Sequence, residues 1–466
     1  MSIEFDELEI EVSRCLCGKP EVRILGSAFD RPRERFEPPY SLDDLTVLLE
    51  EFDRLLLHRS KPEVVAKRKT IAEEIGLTLY RALLPGNVGA TFSRCLASLE
   101  TLRQEGLDVG QRVRISFGNA GRYLPEIIGL PWELICDPKT LQFPGSEPQT
   151  PIVRYLDLPK RIKPLATTPP LRVLAILCSP MSTAEIELSP VDIPKHEVIL
   201  RRAMHDQEWL RIHFLDPPTL QNVRATLRKH KQRGEPFHAI HFLGHGAFRD
   251  DGEGELYFEK ENQQPQSVTG RDLARQLAGF EELRLAVLAT CVGARMMRRR
   301  GQHPFTGAAS ALITRFPAVL AMQFPISEEA ASQFTSCFYQ QLAAGHPVDE
   351  AVAEGRLRMT AADLDSFQWA CPVLLMRTPD GRILDLVKPE GMTRQESDAT
   401  PRRTVEHTVR AKRISAEEDV IVAALQKMGI TPESDSDPEH VCQNVEADEI
   451  DSNKTVQISA VNQKQG

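Results

Sequence analysis

Residues 237–246 read FHAIHFLGHG, and residues 283–291 read LRLAVLATC. Both are short, mostly apolar runs, too brief for an ordinary helix and without the strict alternation of a strand that has one wet face. They read as strands buried on both faces. The surrounding sequence repeats the pattern. Strand-like runs fall at 171–178, 210–216, 318–324 and 372–376, and amphipathic helical stretches at 194–206, 219–231, 269–279, 306–315 and through 327–360. Apolar strands interleaved with helices predict an α/β fold, a doubly wound, mostly parallel sheet covered on both faces.

Outside this core the signals change. Helical periodicity is good at 41–57, 62–83 and 92–104, and 112–118 reads as a strand. Residues 1–165 therefore form either an α/β domain of their own or an α/β flank completing the main sheet, and we take the flank. The core is placed at 166–385. No Phe, Tyr or Trp follows Trp369, and from 391 onward 9 basic residues face 14 acidic ones. Such a segment cannot bury enough apolar surface to offset its ordering entropy, so 386–450 is expected to be a disordered acidic linker. Within it, Ser415 and Glu418 form a capping-box pattern that predicts a short helix over 415–429. Residues 451–466 are a separate terminal motif.

Composition narrows the function. The chain has 466 residues, 41% hydrophobic and 26% charged, with a formal net charge of −9. This excludes fibrous and disulfide-stapled classes and argues against nucleic acid or an anionic membrane as partner. No apolar run approaches the ~18 residues of a membrane span. The amino terminus, MSIEFDELEIEV, carries acids where a signal peptide carries bases and an apolar core. Nine cysteines are scattered without a CxxC pair, and Cys15-x-Cys17 alone lacks a second pair of zinc ligands. Most sit in apolar surroundings, where a buried reduced thiol is the simplest reading. A cytoplasmic location is expected.

In an open parallel sheet, chemistry collects at the carboxyl ends of the strands. Two of these ends carry reactive groups: His245 lies between Gly244 and Gly246, just past 237–243, and Cys291 just past 283–290. If those strands are neighbours, ~4.8 Å apart, imidazole and thiol converge. A thiol needs a nearby base to become a nucleophile at neutral pH, and histidine can later return the proton to a leaving amine. The two glycines suit a tight turn that leaves an amide free to stabilise an oxyanion. Taken singly, a strand-end cysteine is more often packing and GHG only a turn. A metal site on His238, His241 and His245 is disfavoured, because His238 and His241 point to opposite faces of a strand. A phosphate cradle fails too: Gly252–Gly254 leads into the strand-like 256–259 and not into a helix. No metal and no cofactor is called for.

Several separated blocks together carry a resemblance: LPWELICDP at 130–138, PIVRYL at 151–156, HFLGHGAF at 241–248, LATCVGA at 288–294, FTGAASALI at 305–313, VLAMQFPISEEAA at 319–331, FYQQLAAGHPVDEAV at 338–352 and WACPVLLM at 369–376. In order and spacing the chain resembles the CHAT family, caspase-like cysteine peptidases related to caspases, separase and gingipains. The resemblance implies a caspase-like three-layer sandwich, with His245 as general base, Cys291 as nucleophile, and the amides of Gly246 and Cys291 as oxyanion hole. It further implies cleavage of partner proteins, in some bacterial members gasdermin-like pore formers, in defence. Glu328 stands where the family commonly has an acid after the MQFPIS-like strand, which makes it a pocket candidate. Asp250, in the acidic run 250–255, either faces a basic substrate residue or lies in a solvated turn; the turn is favoured. Met296–Arg300 is either a cleavable activation linker or a basic loop.

The terminal stretch 453–466 contains Val456, Gln457, Ile458, Ser459 and Asn462. Short Pro-free segments able to form polar ladders suit cross-β stacking. It resembles RHIM-like amyloid signalling motifs, with Ser459 in place of their glycine. The expected protein is thus a cell-death or defence endopeptidase that self-assembles through its tail and is recruited by an upstream sensor carrying a matching motif. The rivals are a catalytically silent scaffold on the same fold and a flavodoxin-like nucleotide binder.

Overall fold

An alternation of acids and apolar residues opens the chain. In β1 (Glu4–Arg14) Leu8, Ile10 and Val12 are fully buried. On the opposite face Glu7, Glu9 and Glu11 are paired with arginines of flanking strands. Glu11 meets Arg23 of β2 (Pro20–Gly26) at 2.7 Å, while Glu7 and Glu9 meet Arg112 and Arg114 of β4 (Val109–Ser116) at 2.5 and 3.1 Å. A ladder of opposite charges thus lets a strongly acidic sequence serve as a strand inside a sheet. β3 (Arg33–Arg35) closes this edge, and α1 (Leu42–Leu56), α2 (Pro62–Leu83) and α3 (Gly86–Gln104) lie between β3 and β4 in sequence. β5 (Ile152–Tyr155) and the short β6 (Leu165–Thr167) follow.

The computed structural model describes residues 3–15, 17–39, 42–56, 61–118, 125–156, 162–204, 208–290, 304–362 and 364–387, all within the compact unit Met1–Pro389. The linker from 388 onward, the 415–429 helix, the tail motif and the 296–300 loop lie outside these residues, as does Cys291.

The middle of the chain alternates as its apolar pattern predicts. β7 (Leu171–Leu177), α4 (Ile193–Ala203), β8 (Leu210–Phe214), α5 (Leu220–Gln232) and β9 (Ala239–Gly244) are followed by three short strands, β10 (Gly246–Phe248), β11 (Gly254–Glu259) and β12 (Pro265–Thr269). Then come α6 (Gly270–Gln276), β13 (Leu285–Thr290), α7 (Pro304–Leu312), β14 (Ala318–Met322), α8 (Glu328–Ala343), α9 (Val348–Ala362), β15 (Pro372–Met376) and β16 (Leu384–Leu386). The helical region expected over 327–360 is two helices. Gly345, at φ 90°, ends the first in a left-handed conformation that other residues adopt only with strain. Asp192, Thr219, Thr269 and Ser327 each accept a backbone N–H at the start of the helix that follows, as N-caps do.

Eleven strands form one sheet in the order β3-β2-β1-β4-β5-β15-β14-β13-β9-β7-β8. β1, β4, β5 and β15 run parallel to one another, as do β14, β13, β9, β7 and β8, and the two blocks meet antiparallel at β14–β15. The strands of residues 1–156 therefore continue the same sheet as the core. From β7 the chain steps outward to β8 and then back across to β9, so the strand order reverses there, as in other doubly wound sheets.

The period of two along each strand sorts the apolar residues into two cores. Val173, Ala175, Leu243, Val287 and Leu320 pack with α4, α8 and α9 on one face. Leu174, Ile176, Phe242, Leu288 and Val319 pack with α5, α6 and α7 on the other. This is why these strands show no polar alternation: neither face is wet. Among the described residues no helix is long and apolar enough to cross a membrane.

Candidate active site

β9 and β13 are adjacent and parallel, and their register sets Gly244 opposite Thr290. His245 and Cys291 are the residues immediately after these two. The structure describes the first and not the second.

The His245 side chain is buried at the carboxyl end of β9. Its Nε2 lies 2.8 Å from the carbonyl oxygen of Ser189. A carbonyl only accepts, so Nε2 carries the proton and donates it; in the neutral ring Nδ1 is then the acceptor. Burial holds the imidazole below its ordinary pKa, with the bond to Ser189 opposing the shift. At neutral pH the ring is a neutral base with a defined tautomer.

Ser189 belongs to the 178–192 loop after β7, and hydrogen bonds fix that loop on several sides. Cys178 N donates to Leu243 O at 2.8 Å, Ser179 N to the Glu259 carboxylate at 2.7 Å, and Val191 N to Ser179 Oγ at 2.9 Å. The acceptor that orients His245 is thus held by β9 and β11 together. The main chain of His245 is also tied down, since its carbonyl accepts from Tyr257 N at 3.0 Å.

Gly244 has a different role from the expected one. Neither it nor Gly246 adopts a positive φ. A Cβ on Gly244 would stand 3.2 Å from Cys178 Cβ and 3.0 Å from the Phe242 ring, so glycine gives the β7 loop room to approach closely.

The other histidines of this stretch are separate. His238 sits before the amino end of β9, where its ring contacts Thr167 Oγ1 and Arg172 N at 3.0 Å each, and burial lowers its pKa to about 4. His241 faces α8, its Nδ1 2.8 Å from Tyr339 OH, and burial lowers it to about 3. Among the described residues no cluster of three metal-capable side chains occurs.

His241 carries a stability prediction. Its folded pKa lies below the ordinary value near 6.5, so below pH ~6.5 the unfolded chain binds a proton that the folded chain refuses. Stability is then lost as pH falls from 6.5 toward 3, at up to ~1.4 kcal/mol per unit for this residue. His241→Gln removes the titration, and its urea midpoint should fall less steeply than the wild-type midpoint between pH 6.5 and 4.5. Parallel slopes would show that His241 does not contribute.

Cys95, Cys136, Cys178, Cys337 and Cys371 are buried free thiols. Burial pushes Cys95, Cys178 and Cys337 up and Cys136 to about 11, so none of these four is held as a thiolate. Cys15 and Cys17 are joined in a disulfide beside the β1–β2 turn, a pairing the sequence reading did not include. Asp250 is exposed in the turn between β10 and β11. Glu328 opens α8 and is ion-paired with Lys195 near the start of α4. The tail residues Val456, Gln457, Ile458, Ser459 and Asn462 lie outside the described residues.

The site is thus a buried, oriented histidine at the carboxyl end of a central strand of a doubly wound sheet. The CHAT domain model matches residues 127–378, and the chain belongs to that family. Among solved structures it is similar to a chain in each of two crystal structures of the Saccharomyces cerevisiae separase–securin complex, at 3.0 and 2.6 Å resolution. The identity is 11% in both, with TM-scores of 0.43 and 0.41, covering 80% of this chain and 30% of that one. The chain thus spans under a third of the length of those matches. A search of curated proteins finds no match.

Proposed function

We propose that the protein is a caspase-like cysteine endopeptidase in which His245 and Cys291 form the catalytic dyad. The observation that carries this is the tautomer of His245: with Nε2–H given to Ser189, Nδ1 is the nitrogen able to take a proton from a thiol following Thr290 on the neighbouring strand. The proton passes from Cys291 Sγ to His245 Nδ1, and the thiolate forms a C–S bond to the scissile carbonyl. The amides of Gly246 and Cys291 hold the oxyanion. His245 then gives the proton to the leaving nitrogen as the C–N bond breaks; the same ring deprotonates the water that attacks the thioester and returns that proton to Cys291 Sγ as the C–S bond breaks. Cleavage of a protein substrate by the purified chain, lost on alkylation of Cys291, tests the reading. The scaffold alternative predicts no cleavage and no selective reaction of Cys291 with thiol-directed probes.

The setting proposed is cytoplasmic, in regulated cell death or defence. The substrate is a partner protein such as a gasdermin-like pore former, and the 453–466 motif gathers copies with an upstream sensor, raising local concentration. A synthetic 453–466 peptide should assemble into fibrils with a spacing near 4.7–4.8 Å, and Gln457→Pro, which removes a backbone donor, should abolish them. A wild-type peptide that stays monomeric at high concentration removes the amyloid role.

A further inference from the structure

On the α4/α8 face of the sheet, the carboxyl ends of the central strands surround a cavity of about 30 Å³. Leu243, Ala289 and Met322 line it from the ends of β9, β13 and β14, and Ile326, Ala331 and Phe334 from the segment that follows β14. Leu243 stands two residues before His245, and Ala289 two before Cys291. At ~3.3 Å per strand residue the cavity begins within ~7 Å of His245 along the backbone. Leu243, Val287 and Phe334 are buried, whereas Ala289 and Ala331 are only partly so, which puts the open end of the cavity at the strand ends.

Its chemistry is apolar. No Asp, Glu, Lys or Arg lines it. Of its polar groups, His241 is bonded to Tyr339, and burial holds both His241 and His196 below the ordinary imidazole pKa, with Glu328 and Asp192 opposing the shift at His196. Glu328, the nearest acid the sequence offered, is paired with Lys195 and is not part of the lining. A charged side chain here would lose its water and find no carboxylate, lysine or arginine in the lining to pair with. So small a space suits a short side chain and not a long one.

We propose that this cavity receives the side chain of the substrate residue on the amino side of the cut bond, and that it selects a small aliphatic one, alanine or valine. The assignment rests on the peptidase reading above and goes beyond it in naming the substrate class. It replaces a basic substrate residue facing Asp250 or Glu328 with an uncharged one.

The test separates binding from turnover. In the full chain carrying Cys291→Ala, fluorescent hexapeptides identical except at that residue (Ala, Val, Phe, Arg or Asp) are titrated by anisotropy. The Ala and Val peptides should bind at least about tenfold more tightly than the Arg and Asp peptides. Ala331→Leu, which fills the mouth, should cost the Val peptide about tenfold, and Ile199→Ala, which widens the lining, should improve binding of a Leu peptide. Equal or tighter binding of Arg or Asp, no binding of any peptide, or a Val affinity unmoved by Ala331→Leu overturns the pocket. Turnover by the wild-type chain on the best-binding peptide is read separately. Selective binding without turnover sinks the peptidase reading and leaves the pocket standing; turnover without selectivity sinks the pocket alone.

Discussion

Replacing Cys291 with alanine, or His245 with alanine, is expected to lower kcat/KM on a cleaved peptide by roughly a thousandfold or more. The two groups act as one unit: the thiol has no acceptor without the ring, and the ring has nothing to deprotonate without the thiol. The double variant should therefore be little worse than either single one. Cys291 is the informative position, because the nearby strand-end thiol, Cys178, is wholly buried with its pKa pushed well up and cannot substitute for it. Thermal unfolding of Cys291→Ala should match wild type. The pH profile adds a second check. Burial holds the His245 pKa below its ordinary value, so the acid limb of kcat/KM should be centred below pH 6.5. Full cleavage by Cys291→Ala, or an acid limb centred above pH 6.5, contradicts the dyad.

The strands that position this site were legible because both their faces are dry. β7, β9, β13 and β14 read as mostly apolar runs, and each is an interior strand of the sheet. β1 was not legible, because its outward residues are Glu7, Glu9 and Glu11. Only the opposing Arg23, Arg112 and Arg114, which come from other parts of the chain, make that face tolerable inside a sheet. Short strands such as β5 and β10 carry too few residues for a period to register. His245 could be picked out as a side chain between glycines at a strand end. Its partner could not, because Ser189 contributes a main-chain carbonyl, which any residue type provides. The cavity residues escaped for the opposite reason: Leu243 and Ala289 look like ordinary core positions, and only the packing of α4 and α8 leaves a space between them.

The block LPWELICDP offers the other large effect, and it concerns the scaffold. Glu133 lies in a 3₁₀ turn (Trp132–Leu134), wholly buried. Its Oε2 accepts from Arg154 Nη2 at 3.0 Å and from Gln323 Nε2 at 2.8 Å, and Arg356 Nη2 stands 3.9 Å from Oε1. Both guanidiniums are buried, so one carboxylate compensates two interior cations. Gln323 directly follows β14, beside the strand that leads to Cys291, and it also accepts from Arg154 at 3.0 Å. The cluster thus links β5, the strand end of β14 and α9 across the sheet. Removing the carboxylate leaves two buried guanidiniums without the negative charge that offsets them, at a cost of ~3–5 kcal/mol. Domain stabilities are typically about 5–15 kcal/mol, so Glu133→Gln should sharply lower the urea midpoint and the soluble yield. Gln keeps the shape and one acceptor, so the loss isolates charge from packing. Replacing all three ionic residues by apolar ones of similar volume (Glu133→Leu, Arg154→Met, Arg356→Met) should cost less than Glu133→Gln alone, because it removes the uncompensated cations together with their partner. If Glu133→Gln shifts stability by less than ~1 kcal/mol, or the triple replacement is the worse of the two, the cluster is not what joins these elements. Loss of peptidase activity in Glu133→Gln would then have to be sought at the strand ends themselves.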